Sequence, residues 1–477
     1  MKRKFSIVCG SFALLVLAAG QHQLCAEARW PQFRGPNSSG VADNQKPPIQ
    51  IGPGTNQLWK VEVPSGLSSP CVWGDRIFLT AFEDGKLQTR CYSRRDGKLL
   101  WNRVTPADQL EEFHSTEGSP AASTPATDGK RVVSYFGSCG LVCYDLDGKE
   151  HWRHTLPVAQ TAGAFGSGGS PAIVNGLVLV NRDQLKDCSL LAVDLRTGKK
   201  AWETARPDVS QSYGTPIHWK HGGAVEVVMS GSLRLKGYDV KTGKERWSLS
   251  GMPSFTCTTP VVGDDLLFFA GWSPGKEAGS MPTFDYLAGQ FDKDKNGAIT
   301  REEVAGTDFA SFFRSMDVNG DGKITAEDLD TMKAMMAKGE NVLVAVKPGG
   351  KGQLAASHVA WKATRGLPYV PSPLYYRGRV YLVKDGGMAS CFDAATGREI
   401  YLQERVGAIG SYYASPIAAD GRIYLASLNG AITVYAAGDK PEVLGRADLG
   451  ERMSATPAIA DNKLYIRTAN HLWAFGK

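Results

Sequence analysis

Eight times along this chain a Ser-Pro or Thr-Pro pair opens a short apolar run that ends in a Gly- or Asp-containing turn, and this recurrence limits the fold more than any other feature. The prolines are Pro70, Pro125, Pro171, Pro216, Pro260, Pro373, Pro416 and Pro457, with successive spacings of 55, 46, 45, 44, 113, 43 and 41 residues. A second element follows in most units: Asp or Thr, Gly, Lys or Arg, two variable residues, then an aromatic at Trp101, Trp152, Trp202, Trp247 or Tyr401. Between the two lie apolar or alternating runs such as RIFLTAF, LVLVNR, RVYLVK and RIYLAS, each of strand length. A proline at the start of an innermost strand breaks no central ladder bond. The turn glycine supplies the left-handed backbone of a hairpin. The aromatic that opens the fourth strand can pack between neighbouring units.

A period in the forties holding four short strands predicts propeller blades, and the 54 glycines suit a body rich in tight turns. The eighth unit has room for only three strands (TPAIA, KLYIRT, HLWAF). Its fourth is available in NQLWKVEV, Asn56 to Val63, where Trp59 takes the aromatic position. The expectation is therefore an all-β, eight-bladed β-propeller over residues 56–477, closed by N- and C-terminal strands, after a lead-in over 29–55. The repeated Asp-x-x-Thr-Gly-Lys-x-x-Trp turn resembles the PQQ-like repeat of quinoprotein-type, BamB-like propellers, and WPQFRGPNSSG at Trp30 to Gly40 is similar to the lead-in of exported members of that group. The resemblance implies the fold and says little of function, because one scaffold hosts unrelated activities.

The spacing of 113 residues marks an insertion over 280–338 in the fifth blade, between its second strand (LLFFAG) and its third (NVLVAV). It holds two consecutive twelve-residue EF-hand loops, which carry oxygen ligands at positions 1, 3, 5, 7, 9 and 12 and glycine at 6. In loop one these are Asp292, Asp294, Asn296, Ala298 through its carbonyl, Thr300 and Glu303, with Gly297 at the sharp turn. In loop two they are Asp317, Asn319, Asp321, Lys323 through its carbonyl, Thr325 and Asp328, with Gly322 at the turn. Ile299 and Ile324 hold the eighth positions, where paired loops join in a short β-bridge. Loop two departs at position 12, since the shorter Asp328 reaches an ion less easily than Glu; weaker calcium or magnesium-like coordination is expected there. The flanks read as helices: Phe284, Leu287 and Phe291 share a face, as do Phe309, Phe312 and Met316, and Leu329, Met332 and Met336. The loop containing the insertion should emerge on the face that also carries the connections between blades. The segment Thr105 to Ser123, with Glu111, Glu112, His114 and Glu117, belongs to that face; these residues could form a polar site near the axis, and a solvated loop is the favoured reading.

Lys2, Arg3 and Lys4, the apolar stretch from Phe5 to Ala19, and Ala26-Glu27-Ala28 lay out a secretory signal peptide over residues 1–28. Its apolar stretch is shorter than the roughly 20 residues of a bilayer span, so no transmembrane segment is expected. The protein is read as exported, periplasmic or secreted, and monomeric. A net charge of +6 with scattered basic residues gives no nucleic-acid footprint. Cys91, Cys143 and Cys391 share one repeat position, filled in sister units by Ala192, Gly237, Val434 and Ala474; small buried side chains are expected there rather than a disulfide framework.

Three functions fit. A non-catalytic binding or assembly scaffold, holding a protein or surface ligand on the loop-rich face, is favoured: no nucleophile elbow, zinc-type histidine cluster or phosphate loop stands in the chain, and no catalytic or cofactor-binding residue can be named. The resemblance implies a second, a PQQ-dependent quinoprotein oxidoreductase, which the missing adjacent Cys-Cys pair speaks against. A third is a glycan- or surface-binding module using aromatics such as Trp272, Tyr412 and Tyr413. Calcium is the expected cofactor, in a structural role.

Overall fold

The computed structural model describes residues 29–114, 116–161, 165–274 and 281–477. The signal-peptide reading of residues 1–28, with Cys9 and Cys25, lies outside the described residues. Among those described, eight antiparallel sheets each contain the four strands of one blade; two sheets gain a fifth. Blade one runs Cys71–Trp73, Arg76–Glu83, Lys86–Ser93 and Leu99–Thr105, and the pattern repeats in chain order. Blade eight combines Ala458–Ala460, Lys463–Arg467 and His471–Phe475 with Gln57–Glu62 from the other end of the chain, and Trp59 pairs with Ala474 as the repeat requires. In blade five the insertion leaves after Leu266–Gly271 and returns at Val342–Val346. No helix among the described residues is long and apolar enough to cross a membrane.

The Ser/Thr-Pro pairs do more than start strands. Each residue before the proline donates its backbone N–H to the hydroxyl of its counterpart in the next blade, and the bonds close into a ring. Ser69 bonds to Thr124 at 2.9 Å, Thr124 to Ser170 at 3.0 Å, Ser170 to Thr215 at 3.2 Å and Thr215 to Thr259 at 2.9 Å. Thr259 bonds to Ser372, Ser372 to Ser415 and Ser415 to Thr456, each at 3.0 Å, and Thr456 returns to Ser69 at 2.9 Å. The following proline confines each of these residues to extended backbone, which aims its N–H sideways at the neighbouring blade. All eight are buried, so every bond satisfies a group that water does not reach.

A second set of contacts ties the blades together farther from the axis. The indole N–H of Trp152 donates to the Leu195 carbonyl of the next blade at 3.0 Å, and Trp59, Trp101, Trp202 and Trp361 repeat the contact at 2.9–3.1 Å. The turn glycine of the receiving blade lies against that ring: a Cβ on Gly198 (φ +70°) would stand 2.5 Å from Trp152. Directly across the strand pair from each aromatic stands the small slot. Cys91 faces Trp101, Cys143 faces Trp152, Ala192 faces Trp202 and Cys391 faces Tyr401; blade seven has Gly445 in the aromatic position and the larger Val434 opposite it. Volume is conserved across the pair, as close packing demands. The seven cysteines among the described residues are all free thiols.

The lead-in closes one end of the central channel. Arg29–Trp30 extends blade one, Pro31 accepts from Thr127 N–H, and Asn37 exchanges two 2.9 Å bonds with His218 of blade four. Arg34 Nη2 reaches Pro373 O at 2.8 Å, and Gly40 and Ala42 bracket Ala418 of blade seven. With Ile173 N–H of blade three on Gln32 Oε1 at 3.4 Å, six blades hold one short segment.

Removing a ring hydroxyl leaves a buried N–H without its acceptor, a cost of about 1–3 kcal/mol. Ser170→Ala is accordingly expected to lower the thermal midpoint measured by circular dichroism, while Ser170→Thr, which keeps the oxygen, stays near the parent.

Candidate functional site

The insertion is built as two paired loops over a small core. Helix α1 (Phe284–Phe291) starts at Thr283, whose side chain accepts the Tyr286 N–H. Its last turn delivers Asp292 to loop one. There Asp292 accepts the N–H groups of Asn296 and Gly297 at 3.1 and 3.0 Å, and Asn296 Oδ1 accepts that of Ala298 at 2.9 Å. Gly297 and Gly322, at the sixth positions, have φ of +80° and +88°, which glycine adopts at little cost. Ile299 and Ile324 pair in the expected bridge, both fully buried. Glu303 Oε2 accepts the N–H and hydroxyl of Thr300 at 2.8 and 2.9 Å, and these bonds hold its carboxyl below the ordinary carboxylate range. Asp292, Asp294 and Glu303 bring one ligand atom each to within 4.8 Å of one another. Three carboxylates so close repel one another, and a divalent cation between them relieves that repulsion.

Loop two repeats the inner turn: Asp317 accepts from Gly320, Asp321 and Gly322 at 2.7–3.1 Å. Asp328 is 2 % exposed and occupied by the protein itself, with Thr325 N–H and hydroxyl on Oδ2 at 2.9 and 2.7 Å and Val318 N–H on Oδ1 at 3.2 Å. Among the described residues no second triad of acidic, His or Cys side chains converges as loop one does.

The thirteen residues between the loops differ from the expected helix. Residues 301–306 are turns, Asp308–Ser311 is a 3-10 stretch, and helix α2 (Phe313–Met316) is one turn long. The segment is two short pieces, and no single helical face runs through both. Phe313 enters the core with Leu287, Val304, Leu329, Met332 and Met336, while Phe312 points to the propeller. Helix α3 (Ala326–Ala337) keeps the expected buried face.

The segment Thr105 to Ser123 is in part a solvated loop, with Asp108, Gln109, Glu112 and Phe113 exposed, but several of its side chains are engaged. Glu112 Oε1 receives Arg301 at 3.0 Å and Arg314 at 3.2 Å, both from the insertion. His114 stacks on Phe165, and Phe165 meets Phe312 edge-on at 6.1 Å. Glu117 pairs with Arg452 of blade eight at 2.6 Å. Glu111 is buried, accepts the Ser167 hydroxyl at 2.8 Å and has its carboxyl pushed up to about 7 by burial. From the propeller side Phe255 packs into the core of the insertion. The neck is fastened by Asn341, which bonds twice to the backbone of Ser273 at 2.8 and 3.1 Å.

These contacts rim a cavity of about 260 Å³ on the propeller axis. Phe33 of the lead-in contributes to its lining from the plugged end, and Ser69, Thr124, Ser170, Thr215, Ser372, Ser415 and Thr456 of the hydroxyl ring surround it. Phe165, Tyr213, Phe255, Tyr369 and Tyr413 supply aromatic walls, and Glu117 is the one charged group among the lining residues. Burial pushes the Cys257 thiol in the wall up to about 12. Of the aromatics expected to be exposed, Tyr413 lines this cavity, Trp272 packs edge-on against Tyr369, and Tyr412 is 1 % exposed within the core between blades six and seven. Phe165 and Phe255 carry no motif and went unread in the sequence; Phe33 lies in the lead-in motif, but its place in the cavity was not foreseen.

Residues 90–270 match the family described as outer membrane protein assembly factor BamB, and 289–305 and 309–333 match the EF hand. A search of curated proteins gives no match. Among solved structures, BamB from Moraxella catarrhalis superposes with a TM-score of 0.53 at 12% identity, covering 88% of this chain and 97% of that one. Quinohemoprotein alcohol dehydrogenase from Comamonas testosteroni gives 0.52 at 13%, covering 94% and 81%, and the designed Ika8 protein 0.57 at 12%, covering 88% and 99%. At such identities these likenesses show the fold alone. The molecule is an eight-bladed β-propeller with a helical insertion. Its repeats are similar to those of the PQQ-like, BamB-type propellers over residues 90–270, and two EF-hand matches stand in the blade-five insertion.

Two outcomes are expected in solution. Glu303→Gln should remove the tighter of two calcium-binding steps in calorimetric titration and leave the weaker one. Glu111 titrates near 7 when folded against an ordinary 4.5, so between those values the folded state holds the extra proton and stability falls as pH rises, by on the order of a few kcal/mol. Thermal midpoints at pH 5 and pH 8 should therefore converge in Glu111→Gln.

Proposed function

We propose that this chain is an exported calcium-binding propeller that serves as a non-catalytic binding or assembly scaffold, with its partner held on the face around the axial cavity. The docking of the insertion onto the rim of that cavity carries the reading: a calcium-loaded loop one fixes elements that the propeller itself uses as a wall. The twelve loop positions from Asp292 to Asp328 are the proposed ligands. Glu303 closes the stronger site and Asp328 the weaker. Extracellular calcium modules of this kind bind at roughly 10⁻⁴–10⁻³ M, tight enough to stay loaded outside the cytoplasm and so to act as a staple rather than a switch. The match of residues 90–270 to an assembly-factor family supports a protein partner. Aromatic walls and a belt of hydroxyls suit an uncharged, partly apolar group presented by that partner.

The lining does not suit PQQ. A tricarboxylate needs cationic neighbours, whereas the lining residues include no lysine or arginine, and their one charge, Glu117, is negative. The converging carboxylates that fit a calcium ion stand in the insertion instead. Calorimetric titration of the calcium-loaded protein with PQQ is expected to give no saturable heat and no quinone absorbance. Micromolar binding at one site would overturn the scaffold reading in favour of a quinoprotein oxidoreductase. Binding in a glycan array without a protein partner would favour a surface-binding module.

A further inference from the structure

The EF-hand pair and the axial cavity share side chains. Phe255 lines the cavity and at the same time packs against the hydrophobic core of the insertion. Phe165 lines the cavity and makes the edge-on contact with Phe312 at 6.1 Å. Two residues beyond Phe255 lies Cys257, another lining residue. The insertion reaches the same wall through charge, since Arg301 of loop one and Arg314 of α2 converge on one oxygen of Glu112, five residues before Glu117 of the cavity lining.

Arg301 lies within loop one, two residues before Glu303, and Phe312 and Phe313 lie on the short link between the loops. Closing loop one on a cation pulls Glu303 toward Asp292 and Asp294 and so fixes the start of that link. Without the cation, repulsion among the three carboxylates opens the loop. The link is turns, a 3-10 stretch and one helical turn; its internal backbone bonds reach only three or four residues, and so short a helical run does not stand alone.

We propose that calcium in loop one completes the axial cavity: Phe255 and Phe165 form its wall on the insertion side and are held there only while the EF-hand pair is loaded. Ligand binding on the axis and calcium binding in the insertion are then linked, each strengthening the other by the same factor. This rests on the calcium reading above and adds to it that the staple has a site to shape.

Cys257 reports on the wall without any knowledge of the ligand. The full chain is treated with N-ethylmaleimide in millimolar calcium or in EGTA, and alkylation is followed peptide by peptide by mass spectrometry. Removal of calcium is expected to speed alkylation of Cys257 by about tenfold or more, as local opening replaces a fixed wall. Cys391, fully buried in blade six, should stay slow in both. Glu303→Gln in calcium should behave as the parent does in EGTA. Phe255→Leu, which weakens the shared contact, should make the Cys257 rate independent of calcium. If titration shows calcium bound and the Cys257 rate does not change on chelation, the proposal fails while the calcium reading stands. If Cys257 and Cys391 accelerate together, calcium stabilises the fold at large and the proposal also fails. If titration shows no calcium binding, the underlying reading falls with it.

Discussion

Eight backbone N–H groups, each given to a hydroxyl in the next blade, form the constraint on which the rest of the structure depends. One residue type before one proline sets three things together: the start of an innermost strand, the sideways aim of its N–H, and the acceptor for its neighbour. The bonds are individually modest, about 1 kcal/mol net each, but they are buried and they close on themselves. The ring also explains how a long insertion is accommodated. Thr259 and Ser372 are separated in sequence by more than twice the usual interval, yet they bond at the same 3.0 Å as their sisters. The extra chain leaves between the second and third strands, away from the inner edge that carries the ring.

The same residues set the chemistry at the axis. Seven of the eight hydroxyl-bearing residues line the cavity, so the girdle that holds the blades together is also the surface offered to a ligand. The aromatic residues above it come from loops, and two of those are held by the insertion. The unequal EF-hand loops divide the work. Both carboxylates accept equivalent backbone N–H groups, Lys293 and Thr300 on Glu303, Val318 and Thr325 on Asp328; what differs is that Asp328 is a methylene shorter and fully buried.

What could be read in the sequence was what repeats. The Ser/Thr-Pro pairs and the Thr-Gly-Lys-x-x-Trp turns gave the blade count, the closure by Asn56 to Val63 and the place of the insertion, and the slot at Cys91, Cys143 and Cys391 was read as small before its reason, the ring across the strand, was visible. The hydroxyls themselves were passed over because their partners lie a blade away. The lead-in was recognised but not its task, since Phe33 and Arg34 meet residues hundreds of positions distant and follow no period. Phe165, Phe255 and the partners of Glu112, Arg301 and Arg314, were beyond pattern reading for the same reason. At Phe312 and Phe313 the cause was local: the segment breaks between a 3-10 stretch, Asp308–Ser311, and a separate helical turn, Phe313–Met316, so no single helical face runs through it.

The pairing of Gln57–Glu62 with His471–Phe475 has a bearing on how the molecule comes into being. A polypeptide is synthesised from its N-terminus, and this blade needs a strand from each extremity. Blade eight therefore cannot close until the chain has been made through Phe475, and the ring stays open between blades one and seven until then. Loop-closure entropy grows only slowly with length, so the final docking is feasible, but it is the most non-local event in the fold and belongs among its slowest steps. A circular permutant with its ends moved between two other blades would trade this late latch for an ordinary hairpin, and would expose how much of the folding time the latch accounts for.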